Sequence, residues 1–356
     1  MASSYRTSLA VLLFLMSTTS TCITLIAQCH ETGKPRPMNN TISAIYVFGD
    51  STVDPGNNDY IDTLFKANWY PYGKDFIHQI PTGRFTNGKL ATDFIASYVG
   101  VKEYIPAYLD PTIKLEDMIT GVAFASAASG YDPLTAAISN VIHMPKQLDH
   151  FKAMKAKLEQ ANGKERTQEH ISKAVFIVSA GTNDFVINYY GLPLRRSQFS
   201  VLDYQNLLLQ QANELYQGLW DEGARRIAVI GLPPMGCVPA VITLMGPKAN
   251  FRHDKCEEEY NNVAQAYNKK LQSELNNLQE KWAYSGTRIF YVDIYYSLNN
   301  IIRSYTKYAS FLCNPHSPLC ADASKYVFYD SIHPTERTYY EMFRSLIPII
   351  NNVIKN

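Results

Sequence analysis

The chain carries almost no net charge. Its 33 lysines and arginines are matched by 32 aspartates and glutamates, a formal balance of +1. Such a surface gives no electrostatic reason to expect nucleic acid or an anionic membrane as a partner. Long apolar runs are missing too. The nearest candidate, Leu9 to Met16, is far short of the roughly 20 residues that span a bilayer, and a polar break from Ser17 to Thr21 follows it. No stable membrane insertion is expected. No internal repeat, low-complexity tract or inter-domain linker follows residue 40, which excludes solenoids and arrays and favours one domain. Cysteine is scarce, six in 356 residues. The one hint of metal-ligand spacing, Cys313, His316 and Cys320, lacks a fourth ligand. No metal and no organic cofactor is expected.

What the chain does have at its start is a leader pattern. Arg6 precedes the apolar run, and small and polar residues follow as far as Thr24, the order of a secretory signal peptide. Cleavage is expected within residues 22–30. Residues 1–29 read as signal peptide, 30–40 as a polar, proline-containing linker, and 41–356 as a single domain. The protein is expected outside the cell, where cysteines oxidise. With Cys22 and Cys29 removed, Cys237, Cys256, Cys313 and Cys320 remain. Of their three possible connectivities, the local one is expected: Cys237 with Cys256 and Cys313 with Cys320. Asn39-Asn40-Thr41 is an acceptor triplet for N-glycosylation and makes Asn39 the candidate site.

Short apolar segments recur along the rest of the chain, around residues 45–49, 121–125, 174–179, 226–230 and 288–292. Helical periodicity fills the intervals, near 89–99, 135–159 with an interruption at Pro145, 201–222, 255–281, 297–305 and 334–354. Pro334 suits the first turn of the last helix. Strands alternating with helices argue for an α/β protein, a parallel sheet covered on both faces.

The first strand stops at Gly49-Asp50-Ser51, which brings a hydroxyl to the carboxyl edge of the sheet, where ligands of open α/β folds bind. Serine alone is a weak nucleophile and needs a base within hydrogen-bond reach. Asp330-Ser331-Ile332-His333 supplies one. The three-residue spacing lets the carboxylate fix one ring nitrogen while the other takes a proton from Ser51. Acyl transfer also needs donors for a developing oxyanion. The Ser51 N–H, an N–H of the 126–130 loop, assigned to Gly130, and the Asn183 amide are the candidates. Each element has a plainer reading. Gly-Asp-Ser and Gly-Thr-Asn-Asp are ordinary turns, and an Asp ahead of a helix is often its cap. His143, His150 and His253 read as surface or packing residues.

Together these segments resemble the GDSL lipase/esterase family of the SGNH-hydrolase superfamily, in particular its secreted plant members. The resemblance rests on Phe48-Gly49-Asp50-Ser51 with Asp54-Pro55-Gly56-Asn57-Asn58, Gly83-Arg84-Phe85-Thr86-Asn87-Gly88, Gly121-Val122-Ala123-Phe124-Ala125-Ser126, Gly181-Thr182-Asn183-Asp184, Gly231-Leu232-Pro233-Pro234-Met235-Gly236-Cys237 and Asp330-Ser331-Ile332-His333-Pro334, in the family's order. It implies a three-layer α/β/α flavodoxin-like fold with a central, mostly parallel sheet, and hydrolysis of carboxylic esters. It further implies Ser51 as nucleophile and oxyanion donor, His333 as base, Asp330 as its partner, and Asn183 as the oxyanion asparagine. The oxyanion glycine falls in the 126–130 loop. Gly130 takes that role, with the Ala128 N–H as alternative, provided that position 128 does not require positive φ. A small-molecule or lipid ester is the expected partner, and the chain is expected to be a monomer.

Two departures from the family pattern stand out. Tyr329 replaces the usual Trp before Asp330. Residues 296–311 are short and lack the adjacent cysteines of relatives, which leaves the pairing of Cys313 open. Two further readings follow: an acyltransferase in which an alcohol replaces water, and a lipid- or wall-binding protein whose site is impaired.

Overall fold

The computed structural model describes residues 42–245, 255–304 and 321–354, all within one compact unit spanning residues 37–356. The leader, the linker to residue 40, Asn39, His253, Cys313, Cys320 and residues 305–311 of segment 296–311 lie outside the described residues.

Four strands, β1 (Ile45–Gly49), β2 (Val175–Ser179), β3 (Arg226–Ile230) and β4 (Arg288–Val292), form a sheet in the order β1-β2-β3-β4, each pair parallel. The first two are buried along their whole length, which is why they read as unbroken apolar runs rather than as alternating ones. The α-helices of seven residues or more among the described residues are α1 (Ala91–Tyr98), α2 (Pro133–Ser139), α3 (Met144–Asn162), α4 (Lys164–Ser172), α5 (Val201–Asp221), α6 (Pro239–Met245), α7 (Glu258–Trp282), α8 (Tyr295–Ser304) and α9 (Glu336–Ile354). One sheet face packs Tyr46, Phe48, Phe176 and Val229 against α3, α5 and α7 through residues such as Phe151, Leu208 and Leu271. The other packs Val47, Ile177 and Val292 against α1 and α9 through Ala96, Phe343 and Leu346. This is a three-layer α/β/α arrangement.

The segment expected as a strand at 121–125 is not one. It runs beside β1 with a single parallel bridge, Val47 to Ala123. On its outer side a second isolated parallel bridge joins Ala123 to Ala107, with Ala123 N–H donating to Pro106 O at 2.9 Å and Tyr108 N–H to Ala123 O at 3.0 Å. Asn57 Nδ2 adds donations to Ala123 O and Ala125 O, both at 2.8 Å. Counted by position, this segment, β1, β2, β3 and β4 lie in the order 2-1-3-4-5, the flavodoxin-like order whose switch point falls between the first and third members. The turns after β1 and β2 therefore open the crevice.

Two other expectations are corrected. The helix expected over 135–159 breaks before Pro145, at Asn140 with φ 51, and Pro145 lies in the first turn of α3. Pro334 precedes the last helix: it pairs with Phe328 in an antiparallel bridge, and Thr335 Oγ1 accepts the Thr338 N–H.

Gly49 ends β1 at φ 142, and a Cβ there would sit 2.0 Å from Ser179 O. Both conditions, a close backbone approach and a conformation open only to glycine, apply at once. Gly49→Ala is expected to destabilise the fold by roughly 3 kcal/mol or more, read as a lower denaturation midpoint at unchanged slope.

Candidate active site

Ser51 follows Gly49 directly, on a turn held by short bonds. Asp50 N–H donates to Ser179 O at 3.0 Å, and Asp50 Oδ1 accepts the Thr52 N–H and hydroxyl at 2.9 and 2.7 Å. Burial pushes the Asp50 carboxyl up, opposed in part by those two donors. The Gly49 peptide is gripped on both sides. Its N–H donates to Gln147 Oε1 at 2.9 Å, while its carbonyl accepts from Ser126 N–H, Ser129 Oγ and Gln147 Nε2 at 2.9, 2.8 and 3.0 Å.

The loop bearing Asp330 and His333 comes from the far end of the chain. Tyr329 N–H donates to His333 O at 2.7 Å, and Ala240 N–H at the start of α6 holds Ser331 O at 2.9 Å. The Asp330 carboxylate folds the turn on itself: Oδ1 accepts the N–H groups of Ile332 and His333 at 2.8 and 2.6 Å. His333 Nδ1 lies 2.8 Å from Asp330 Oδ2, and Nε2 lies 2.8 Å from Ser51 Oγ. Asp330 is wholly buried and His333 nearly so. Burial alone would raise the Asp330 carboxyl, but His333 and the N–H donors around it outweigh burial and hold it below the usual carboxylate range. An ionised Asp330 accepts from Nδ1, so the proton belongs on that nitrogen and Nε2 faces the Ser51 hydroxyl as an acceptor.

The oxyanion candidates converge on the same place. Ser51, Ala128 and Gly130 have main-chain N–H groups with no hydrogen-bond partner among the described residues. Asn183 follows β2, and its amide donates one N–H to Ser129 O at 2.9 Å. That bond ties the asparagine to the 126–130 loop and leaves a second amide N–H. The reason for glycine at 130 is the neighbouring carboxylate. A Cβ there would meet Asp184 Oδ1 at 2.2 Å. Ala128 has φ 65, so the condition under which alanine fits without strain is not met, and the position favours glycine.

Several further residues support the site. Asp54 accepts from Gly56, Asn57 and Ala127 N–H groups at 2.8, 2.7 and 2.9 Å. Asn58 donates to Ala127 O at 3.0 Å. Between them they peg the 126–130 loop to the turn that carries Ser51. Arg84 makes two 2.9 Å bonds to Asp93, and Asn87 Oδ1 accepts the Glu336 N–H at 2.9 Å, binding the 83–88 loop to the start of α9. Tyr72 donates to Asp330 Oδ2 at 2.8 Å. Asp54, Asn57, Asn58, Arg84 and Asn87 belong to the motifs that carry the family resemblance. Gln147 and Tyr72 do not, and no spacing argument would have picked them. His143 caps α3, its Nδ1 accepting the Lys146 N–H at 3.2 Å. Cys237 and Cys256 are joined as expected. No cluster of three or more metal-ligating side chains occurs among the described residues.

A hydroxyl, an imidazole and a carboxylate in line at the carboxyl edge of a parallel sheet make up the constellation of the serine hydrolases as a class. Comparison with known proteins narrows it. Residues 45–346 match the family model for GDSL-like lipase/acylhydrolase. An Arabidopsis thaliana protein named a GDSL esterase/lipase is 50% identical over 341 residues, covering 91% of this chain and 91% of that protein. Two others of the same name and organism are 44% identical over 84% of this chain and 87% of theirs, and 42% identical over 85% and 78%. The chain belongs to the GDSL lipase/acylhydrolase family.

Two measurements test this account of the site. Ala128→Gly is expected to stabilise the fold by about 1 kcal/mol by removing a side chain from the left-handed region, read by denaturant melts. The second concerns Asp184, whose carboxyl accepts Tyr131 and Asp132 N–H groups and the Thr135 hydroxyl, yet is raised by burial to about 7. Between about pH 4 and pH 7 the folded chain keeps a proton that the unfolded chain has released. Its contribution is therefore complete below about pH 4 and is lost as pH rises to 7. Asp184→Asn should remove that downward slope from the stability–pH curve, and an unchanged slope would refute the assignment.

Proposed function

We propose that this chain is a secreted serine hydrolase that cleaves carboxylic acyl esters, lipid esters among them, through an acyl-enzyme on Ser51. The observation that carries the reading is the unbroken line from Asp330 Oδ2 through His333 to Ser51 Oγ, with both hydrogen bonds at 2.8 Å. In the first half-reaction Ser51 Oγ adds to the ester carbonyl while His333 Nε2 takes the hydroxyl proton. Asp330 stays ionised and faces the imidazolium that forms. The carbonyl oxygen becomes an oxyanion that the Ser51 N–H, the Asn183 amide and an N–H of the 126–130 loop can hold, each such donor being worth on the order of 3 kcal/mol of barrier. As the carbonyl re-forms, the C–O bond to the alcohol breaks and His333 returns the proton to it. Water then gives its proton to Nε2, adds to the acyl carbon and releases the carboxylic acid, and Ser51 recovers its proton.

Secretion is supported by the N-terminal leader pattern and by the Cys237–Cys256 disulfide, a bond that persists in oxidising compartments. Among the described residues no helix is long and apolar enough to cross a membrane. The same relay would serve an acyltransferase if an alcohol replaced water, and competition between water and added alcohols in one assay separates the two. An assembled relay argues against the impaired, binding-only reading.

The test is labelling of the folded, oxidised protein with a fluorophosphonate probe. Label is expected on Ser51, absent in Ser51→Ala, and slowed on the order of 10⁴-fold in His333→Ala. A folded protein that takes no label would sink this reading and leave the binding protein in its place.

A further inference from the structure

Asp330 is satisfied more completely than a triad needs. Oδ1 accepts two main-chain N–H groups, and Oδ2 accepts both His333 Nδ1 and the Tyr72 hydroxyl. Four donors fill the four lone-pair directions of one carboxylate. Three of them come from the Asp330 turn itself, and the fourth reaches it across 258 positions in sequence. We propose that Tyr72 is a positioning residue for the hydrolytic relay: its hydroxyl fixes Asp330 Oδ2 on the line to Nδ1 and takes up part of the carboxylate charge. The inference rests on the serine-hydrolase reading above.

The surroundings of Tyr72 show that it is held for this contact. It is 1% exposed. Its ring meets Trp69, Phe85 and Tyr329 edge to face, with centroids 5.6 to 6.0 Å apart. Phe85 in turn lies 4.7 Å from the His333 ring. The loop that carries Tyr72 is pinned from two sides. Tyr329 Oη donates to Pro71 O, and Gly73 N–H donates to Thr86 O at 2.9 Å. The Tyr329 hydroxyl thus makes a bond that steadies the residue touching Asp330.

A hydroxyl on Oδ2 acts in two ways. It prevents the carboxylate from swinging off the imidazole, which protects the alignment on which proton transfer depends. It also shares the negative charge, so that Asp330 pulls less strongly on the Nδ1 proton and the imidazolium gives its proton to the leaving alcohol more readily. The other titratable groups facing the pair are Asp50 on the nucleophile turn, raised by burial, and Tyr339 on α9, raised well above its ordinary value by burial. Tyr339 is the useful contrast, because its buried hydroxyl has no hydrogen-bond partner among the described residues.

The experiment compares Tyr72→Phe with the unaltered protein and with Tyr339→Phe, using a soluble p-nitrophenyl ester over a range of pH. Phenylalanine keeps the ring contacts and removes only the hydroxyl. In Tyr72→Phe, kcat is expected to fall roughly tenfold with KM within about twofold. The acid limb of the kcat/KM profile should move up by about half a pH unit, as the carboxylate left with three donors favours the imidazolium. The low-field Nδ1 proton resonance of His333 should move further downfield, a readout that needs no turnover. Tyr339→Phe should change none of these. A Tyr72→Phe protein with unaltered kcat, pH profile and resonance overturns the proposal. So does one that loses only KM, which would assign Tyr72 to the wall of the pocket. If the unaltered protein neither labels nor turns over ester, the hydrolase reading itself has failed, and the two failures are distinguishable.

Discussion

The Gly49 peptide is the constraint on which the rest of the site depends. Three stretches of chain bond to this one unit: the start and end of the 126–130 loop through Ser126 N–H and Ser129 Oγ, and α3 through both ends of the Gln147 amide. β2 presses against the same glycine closely enough to leave no room for a side chain. Every group that would act on a substrate from the first half of the chain is therefore referred to one rigid point. A buried peptide with all its hydrogen bonds met does not wander, because leaving any donor or acceptor unpaired costs about 1–3 kcal/mol. The position of Ser51 follows from that stiffness.

Side chains elsewhere reinforce sparse backbone pairing. The 121–125 segment has one bridge to β1 and one, on its other side, to Ala107, and the Asn57 amide adds donors to Ala123 O and Ala125 O there. Asp54 and Asn58 continue the pattern into the 126–130 loop. Beyond the 121–125 segment this short loop of small residues turns sharply beside Ser51. The small side chains at Ala127, Ala128 and Gly130 match that need, and at Ala128 the turn is sharper than an alanine tolerates comfortably.

Much of this was legible in the sequence where the signal is local. The apolar runs that became β1 to β4 stand out because strands buried on both faces have no polar positions to hide them. The spacing of Asp330 and His333 is legible for the same reason, since one turn encloses both. The 121–125 segment misled because its apolar pattern is that of a strand, whereas it pairs by only one isolated bridge on each side, to Val47 and to Ala107. Pro334 misled because helix propensity places it inside α9, while its pairing with Phe328 places it before. Tyr72 and Gln147 were invisible. Their importance lies in contacts made across 258 and 98 positions, which no window on the chain contains.

His333 and Ser51 are 282 positions apart, and the bond between them closes almost the whole length of the domain. Contacts of such separation form late, because the entropy of closing the loop must be spent before the contact returns anything. During synthesis the hydroxyl emerges early and waits for nearly the last helix before it meets a base. A chain that stops short of His333, however well its first layers pack, leaves the Ser51 hydroxyl without its imidazole partner.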